Sequence, residues 1–253
     1  MPHLHLLGTG AAVSDPERTT TMLAVTDDAF DGRSTLLIDC GGDVLQRFRE
    51  AGGHVGDIAA LIVTHAHPDH CSGFPLFIER LWLHGQHDAI PVRGIAPALA
   101  QIERLWDAFA PVAQDWDIPT IDTREISYVP ASLVWDRAPW RVTASPVEHG
   151  IDNVGLRIEH VPTGRVMAYS CDTAPCDAVV DLARDADLLV HEATGSGDGH
   201  SMMEEAAETA QAAAAKRLVL VHLSEGDKQE ELADARDIFR ETEIGEELGL
   251  YAF

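Results

Sequence analysis

His65-Ala66-His67-Pro68-Asp69-His70 decides the reading of this chain, because three imidazoles and a carboxylate fall within six residues directly after the apolar run Leu61-Ile62-Val63-Thr64. A strand that ends in a turn can point His65 and His67 to one side and Asp69 and His70 to the other. One hexapeptide can therefore serve two metal ions. Imidazole nitrogen and carboxylate oxygen suit zinc, and also manganese or iron. A surface cluster without an ion is the plainer reading for one or two histidines; four ligand-type side chains at this spacing favour a metal site.

Two coordination spheres need more donors than a hexapeptide holds, and three stand out. His149 follows the alternating run Trp140-Arg141-Val142-Thr143-Ala144-Ser145, Asp172 follows Val166-Met167-Ala168-Tyr169-Ser170, and His222 ends Leu218-Val219-Leu220-Val221. Each places a polar group at the end of an expected buried strand, where an unpaired charge is costly. Taken singly, each could be a hydrogen-bonded strand-end residue. Their order and shared placement favour one site.

H-x-H-x-D-H followed by distant His, Asp and His is the ligand order of the metallo-β-lactamase fold, and the chain resembles the ribonuclease Z and cyclic phosphodiesterase branch of that superfamily. The residues that carry the resemblance are Leu7-Gly8-Thr9-Gly10-Ala11-Ala12-Val13 with Arg18, Asp39-Cys40-Gly41-Gly42, His191-Glu192-Ala193-Thr194, Gly199-His200-Ser201 and Val221-His222-Leu223-Ser224. The resemblance implies two divalent metal ions, zinc first with manganese or iron as alternatives. His65, His67 and His149 would hold one, Asp69, His70 and His222 the other, and Asp172 would bridge them. It further implies that Asp69 orients a metal-bound hydroxide and that His200 protonates the leaving group.

Local sequence gives His200 a second argument. Ser201-Met202-Met203-Glu204 fits an S-x-x-E capping box, so Ser201 is expected to cap an Ala-rich helix running toward Lys216. His200 would then precede a helix N-terminus, where free N–H groups and the dipole favour a phosphate. A solvated loop histidine is the alternative.

Strand-like runs at 3–7, 20–26, 34–39, 140–146, 153–159, 165–170, 187–191 and 217–222 alternate with helix-like stretches near 43–51, 74–83, 176–184, 202–215 and 228–240. Strands separated by helices argue for α/β layering, and adjacent strands for mixed sheets. The expected fold is an αββα sandwich of two mixed β-sheets flanked by helices, with its halves meeting near residue 150. With 253 residues, 45% hydrophobic, and no linker, residues 1–253 read as one domain. Cys40, Cys71, Cys171 and Cys176 form no C-x-x-C pair and read as reduced thiols. No basic leader or membrane-length apolar run is evident, so cytoplasmic residence is the expectation.

Competing chemistries are disfavoured. Gly8-Thr9-Gly10 lacks the third glycine and helix start of a dinucleotide fingerprint, since Ser14-Asp15-Pro16 breaks the chain there, and no G-x-S-x-G elbow is present. His3, His5, His54, His84, His87 and His160 have no ligand-like setting. The stretch 84–140 holds Trp106, Trp116, Trp135 and Trp140 and could wall a pocket, form a homodimer contact or simply pack, so no substrate contact is assigned to it.

The 42 acidic residues outnumber 18 basic ones for a net charge of −24, which favours solubility, as in high salt, and disfavours a nucleic-acid partner. The resemblance points the same way. In bacterial ribonuclease Z proteins a tRNA-gripping arm is inserted between the His and Asp that match His149 and Asp172. Here those residues are 23 positions apart, and Gly42-Asp43-Val44 stands where that family has an acidic marker. The expectation is a dinuclear hydrolase of small cyclic or linear phosphodiesters. Ribonuclease Z-type tRNA 3′ processing, a lactone or ester hydrolase and a non-catalytic metal-binding regulator are the alternatives.

Overall fold

The computed structural model describes residues 1–13, 15–109 and 116–253; Ser14 of the expected chain break, and positions 110–115 of the Trp-rich stretch, lie outside the described residues. In chain order the first half comprises β1 (Pro2–Gly8), β2 (Met22–Asp27), β3 (Thr35–Ile38), α1 (Val44–Glu50), β4 (Ile58–Val63), α2 (Pro68–Cys71), α3 (Phe74–Leu83), β5 (Ile90–Gly94), α4 (Ala96–Asp107) and β6 (Ile121–Glu125). There follow β7 (Ser132–Arg137), β8 (Trp140–Pro146), β9 (Val154–His160), β10 (Arg165–Tyr169), α5 (Asp177–Leu182), β11 (Leu188–Glu192), α6 (Met203–Ala212), β12 (Leu218–Val221), α7 (Gln229–Ile238), β13 (Thr242–Ile244) and β14 (Leu250–Ala252).

Two seven-stranded mixed sheets result, ordered β14-β1-β2-β3-β4-β5-β6 and β13-β12-β11-β10-β9-β8-β7. β3 through β6 run parallel, as do β10 through β13, with antiparallel strands completing each sheet. A strand covered on both faces needs apolar residues at every position, which explains the unbroken Leu218-Val219-Leu220-Val221.

The two-residue period of a strand then sorts side chains between layers. Val219 and Val221 join the core between the sheets, while Leu218 and Leu220 pack beneath α5 to α7. In β10, Met167 and Tyr169 face inward and Val166 and Ala168 outward. Each fully buried aliphatic side chain contributes about 1.5–3 kcal/mol. The αββα sandwich is the fold.

The junction of the sheets is not where the sequence placed it. The chain crosses between Glu125 and Ser132, and β7 pairs with β8 as a hairpin at the edge of the second sheet, well before residue 150. Edge strands are covered on one side only, so Ser132–Arg137, half of it exposed, lacks the apolar run that marks a central strand. The three-residue β13 and β14 are too short to show a period.

The ends of β4, β8, β10 and β12 lie at one edge of the sandwich and carry the candidate ligands. At the opposite edge His160 Nε2 lies 3.0 Å from Asp27 Oδ2, and the Met1 ammonium 3.3 Å from Asp27 Oδ1. Trp140 Nε1 there donates to Ser34 O at 2.6 Å, tying the second sheet to the first.

Candidate metal centre

The hexapeptide begins where β4 stops pairing. Pro68 opens α2 at a first-turn position, which needs no N–H donor, and the short helix swings Asp69 and His70 back toward the strand ends. The loop 39–42 clamps this turn: Cys40 N donates to His70 O at 2.8 Å and Gly73 N to Cys40 O at 2.7 Å. A Cβ on Gly41 would sit 1.5 Å from the Asp69 carbonyl oxygen. Only glycine permits that approach.

His65, His70, His149 and His222 are oriented through the ring nitrogen facing away from the cleft. Thr194 Oγ1 donates to the His222 carbonyl at 2.9 Å, so its single proton is committed, and His222 Nδ1 at 2.7 Å must donate to it. Nε2 of His222 therefore presents a lone pair to the cleft. His149 Nδ1 donates to Gly199 O at 2.8 Å, His70 Nδ1 meets Asp39 Oδ2 at 2.9 Å, and His65 Nδ1 lies 3.1 Å from Thr64 Oγ1. Such partners fix tautomer and ring orientation in metal sites.

All seven candidate ligands come together in two groups that share one carboxylate. Donor atoms of His65, His67, His149 and Asp172 lie within 4.8 Å of one another, and so do those of Asp69, His70, Asp172 and His222. His67 Nδ1 is 3.1 Å from both His65 Nε2 and His149 Nε2. Nitrogens around a tetrahedral zinc with bonds of about 2.0–2.1 Å stand a little over 3 Å apart. Asp172 Oδ2 reaches His70 Nε2 and His222 Nε2 at 3.3 Å each, and His65 Nε2 at 3.8 Å.

Two buried atoms test whether cations fit. Asp172 Oδ1 and His70 Nε2 are enclosed without a hydrogen-bond partner among the described residues, both at the meeting point of the two groups. Asp39, Asp69 and Asp172 also concentrate three carboxylates there, Asp39 and Asp172 only 1% exposed, which is expensive without compensating positive charge. Burial, then the neighbouring His70, push His65 down to about 2, and burial followed by His149 lowers His67. Both are neutral, as ligands must be. Burial opposes ionisation of Asp69 and Asp172, yet the His222 and His70 imidazoles packed beside both carboxyls hold them well below the usual range. The donor set fits divalent cations.

His200 sits above this cleft, its ring stacked on His222 with centroids 5.8 Å apart and edge-on to His149 at 5.1 Å. Its Nδ1 lies 2.8 Å from Glu192 Oε1. Glu192 is fully buried at the end of β11 and also accepts Thr173 N and Thr194 N, each at 2.9 Å. The Glu192 hydrogen bond raises the His200 pKa above its ordinary 6.5 against partial burial. Nε2 takes no part in that bond.

The helix argument for His200 needs correction. α6 starts at Met203 with Met202 as its N-cap, whose N–H donates to Glu205 Oε2 at 2.8 Å, and it ends at Ala212. Ser201 is buried and donates to Thr173 O at 2.7 Å. Its hydroxyl serves the loop that carries Asp172 and is unavailable as a cap. Asp39, Glu192 and Thr194 were present in the motifs but without assigned roles. Their signal was position, a polar residue at or just past the end of an apolar strand.

Residues 34–223 match the family described as beta-lactamase superfamily domain. The ribonuclease Z of Mycolicibacterium gilvum is 30% identical over 277 aligned positions, covering 98% of this chain and 95% of the relative. Among solved structures, human tRNase Z, short form, superposes with a TM-score of 0.81 at 24% identity, covering 99% of this chain and 98% of that one. A diphosphatase of the PhnP family superposes with a TM-score of 0.77 at 18% identity, covering 100% and 98%.

Proposed function

Because this chain belongs to the beta-lactamase superfamily, in its ribonuclease Z and phosphodiesterase-like branch, and is a metal-dependent hydrolase, we propose that its cleft holds two divalent ions, zinc first, and hydrolyses a small cyclic or linear phosphodiester. The observation that carries this reading is the sharing of Asp172 between two donor groups. Two ions in such a site polarise a phosphoryl oxygen and lower the pKa of a water nucleophile.

The side chains divide the remaining work. His65, His67 and His149 serve one position, Asp69, His70 and His222 the other, and Asp172 both. Asp69 is the least enclosed of the three carboxylates, its side chain 11% exposed against 1% for Asp39 and 2% for Asp172, so it can accept a hydrogen bond from the attacking water and align it. His200, its pKa raised by the Glu192 hydrogen bond, donates its Nε2 proton to the departing alkoxide.

A second reading comes from the relatives named ribonuclease Z and tRNase Z: precursor-tRNA 3′ processing. Those names withhold support from the expectation that nucleic acid is disfavoured as a partner. Three observations favour the small diester. β9 and β10 are joined by a tight turn in which Thr163 N and Gly164 N both reach His160 O, at 3.1 and 2.8 Å, so no arm is inserted between His149 and Asp172. Gly42-Asp43-Val44 stands where the ribonuclease Z family carries an acidic marker. The net charge of −24 opposes a polyanion.

The deciding assay sets metal-loaded protein against bis(p-nitrophenyl) phosphate, glycerol 1,2-cyclic phosphate, a phosphomonoester, a lactone and precursor tRNA at several salt concentrations. Turnover of the small diesters above all others is expected. Efficient, site-specific trailer removal at low enzyme concentration would replace this reading with the tRNA one.

A further inference from the structure

Arg93, Arg124 and Arg137 stand far apart in the sequence, yet the fold gathers them around one cavity of about 270 Å³ that the edge strands β6 and β7 both border. Arg93 and Arg124 are direct partners in the β5–β6 ladder, and like charges so placed repel each other. Arg137 approaches from the other sheet, at the end of β7. Arg93 is only 4% exposed, a rare position for a guanidinium. Its Nη1 donates to Val92 O and Asp122 O at 2.9 and 2.8 Å and its Nη2 to Asp122 Oδ2 at 3.3 Å, while Nε has no acceptor among the described residues.

Charge does not balance at this point. Asp122 is the one carboxylate paired with these arginines among the described residues, and Arg124 Nε lies 3.9 Å from its Oδ1, beyond hydrogen-bond distance. Glu125 and Asp136 also border the cavity, but each directly neighbours an arginine of its strand and so turns to the opposite face. Burial lowers the Arg93 pKa, Asp122 opposes this, and Arg124 and Arg137 reinforce it. Arg93 and Arg137 both lie over the Trp135 ring, their guanidinium carbons 5.7 and 5.1 Å from its centroid. The indole supports the cations and is taken up by them. Three guanidinium groups against one carboxylate leave a surplus of two positive charges in a chain whose net charge is −24. A phosphate group carries about −1.5 to −2 at pH 7 and matches that surplus, whereas a carboxylate meets half of it. Guanidinium forks also fit its oxygens in pairs.

We infer that this cavity is a binding site for a phosphate dianion, separate from the metal centre, in which Arg124 and Arg137 donate to the phosphate oxygens from the two edge strands and Arg93 closes the inner end. No lining residue belongs to the candidate metal donors. The site therefore stands whatever the metal centre hydrolyses.

The test dialyses metal-loaded full-length protein against radiolabelled inorganic phosphate and compares the wild type with Arg124→Gln, Arg137→Gln and the double variant. Both arginines are exposed, so the substitutions spare the core. Affinity at one site is expected to fall about 10- to 100-fold for each arginine removed, and the double variant to bind about one phosphate fewer per chain. Phosphate held at the metal centre is common to all four proteins and cancels in the comparison. Hydrolysis of bis(p-nitrophenyl) phosphate in phosphate-free buffer should stay at the wild-type kcat/KM; a loss in a folded variant would place the arginines in the hydrolytic site and overturn the separation. Identical binding curves for wild type and variants would overturn the site itself. Competing ligands identify the source of the phosphate. Displacement of the label by glycerol 1-phosphate assigns the site to a phosphomonoester, and displacement by unlabelled phosphate alone assigns it to the free ion. Equal displacement by acetate would sink the preference for a dianion on which the inference rests.

Discussion

Asp39 Oδ2 lies 2.9 Å from His70 Nδ1 while Asp39 Oδ1 accepts the Thr64 backbone N–H at 2.8 Å, so one buried carboxylate joins the strand leading into the metal turn to the histidine at its end. Asp39 has φ +61, a conformation that asparagine also tolerates. Asp39→Asn therefore keeps the backbone but cannot accept at both oxygens. Outer-shell losses of this type cost about 10–100-fold in metal affinity or activity. Metal titration and kcat/KM in the same preparation check this; wild-type values in both would show that His70 needs no such support.

Two metal ions per chain are expected by elemental analysis after reconstitution. Asp172→Ala removes the one carboxylate common to both donor groups, so activity should drop by at least about 10²-fold with bound metal reduced. Far-UV circular dichroism should remain close to wild type, since the surrounding histidines and Asn153, which holds the Asp172 carbonyl at 2.8 Å, persist. A fully active variant would remove the central claim.

Replacing His200 by Ala should slow diesters with alkoxide leaving groups by about 10²–10⁴-fold and p-nitrophenyl esters far less, because a good leaving group needs little protonation. Glu192→Gln weakens the hydrogen bond that raises the His200 pKa, so the alkaline limb of the pH–rate profile should move to lower pH. The sign follows from the role: a general acid must be protonated, and activity falls as pH rises through its pKa. Equal losses on both ester types would assign His200 to positioning.

Far from the site, Asp27 makes a pH-dependent contribution to stability. Burial opposes its charge, but hydrogen bonds from His160 and the Ala29 N–H and the nearby N-terminal ammonium lower its pKa below 3.8. A depressed carboxylate stabilises the fold fully above its unfolded pKa and loses that effect as pH falls through the folded one. Asp27→Ala should cost about 1–3 kcal/mol at pH 7. In urea melts the gap between variant and wild type should close below pH 3.8; a constant gap would place the cost in packing.

That the turn His65–His70 and the distant His149, Asp172 and His222 would come together was legible in the sequence because each sits where a buried strand ends, and burial makes an unpaired polar group conspicuous. β4 and β12 were readable for the same reason. What escaped was anything set by contacts across the sheets. Glu192 looks like a strand residue until folding brings His200 to it, and Ser201 looks like a cap until Thr173 O claims its hydroxyl. The junction between β6 and β7 was missed because edge strands carry half the apolar signal, which moved the expected boundary some twenty residues too late.

The sandwich resembles a closed book whose fore-edge and spine are fastened differently. His65 to His70 come from one cover, His149, Asp172 and His222 from the other, whereas the Asp27–His160 pair and the Trp140–Ser34 hydrogen bond secure the spine without any ion. Cations that bind only the closed form add stability by mass action, about 4 kcal/mol at a thousandfold excess over Kd. Chelation would thus loosen the covers from the fore-edge first. Amide exchange should quicken at the tips of β4, β8 and β12 while the spine stays protected, so that metal supply sets how long the folded enzyme survives proteolysis as well as how fast it turns over.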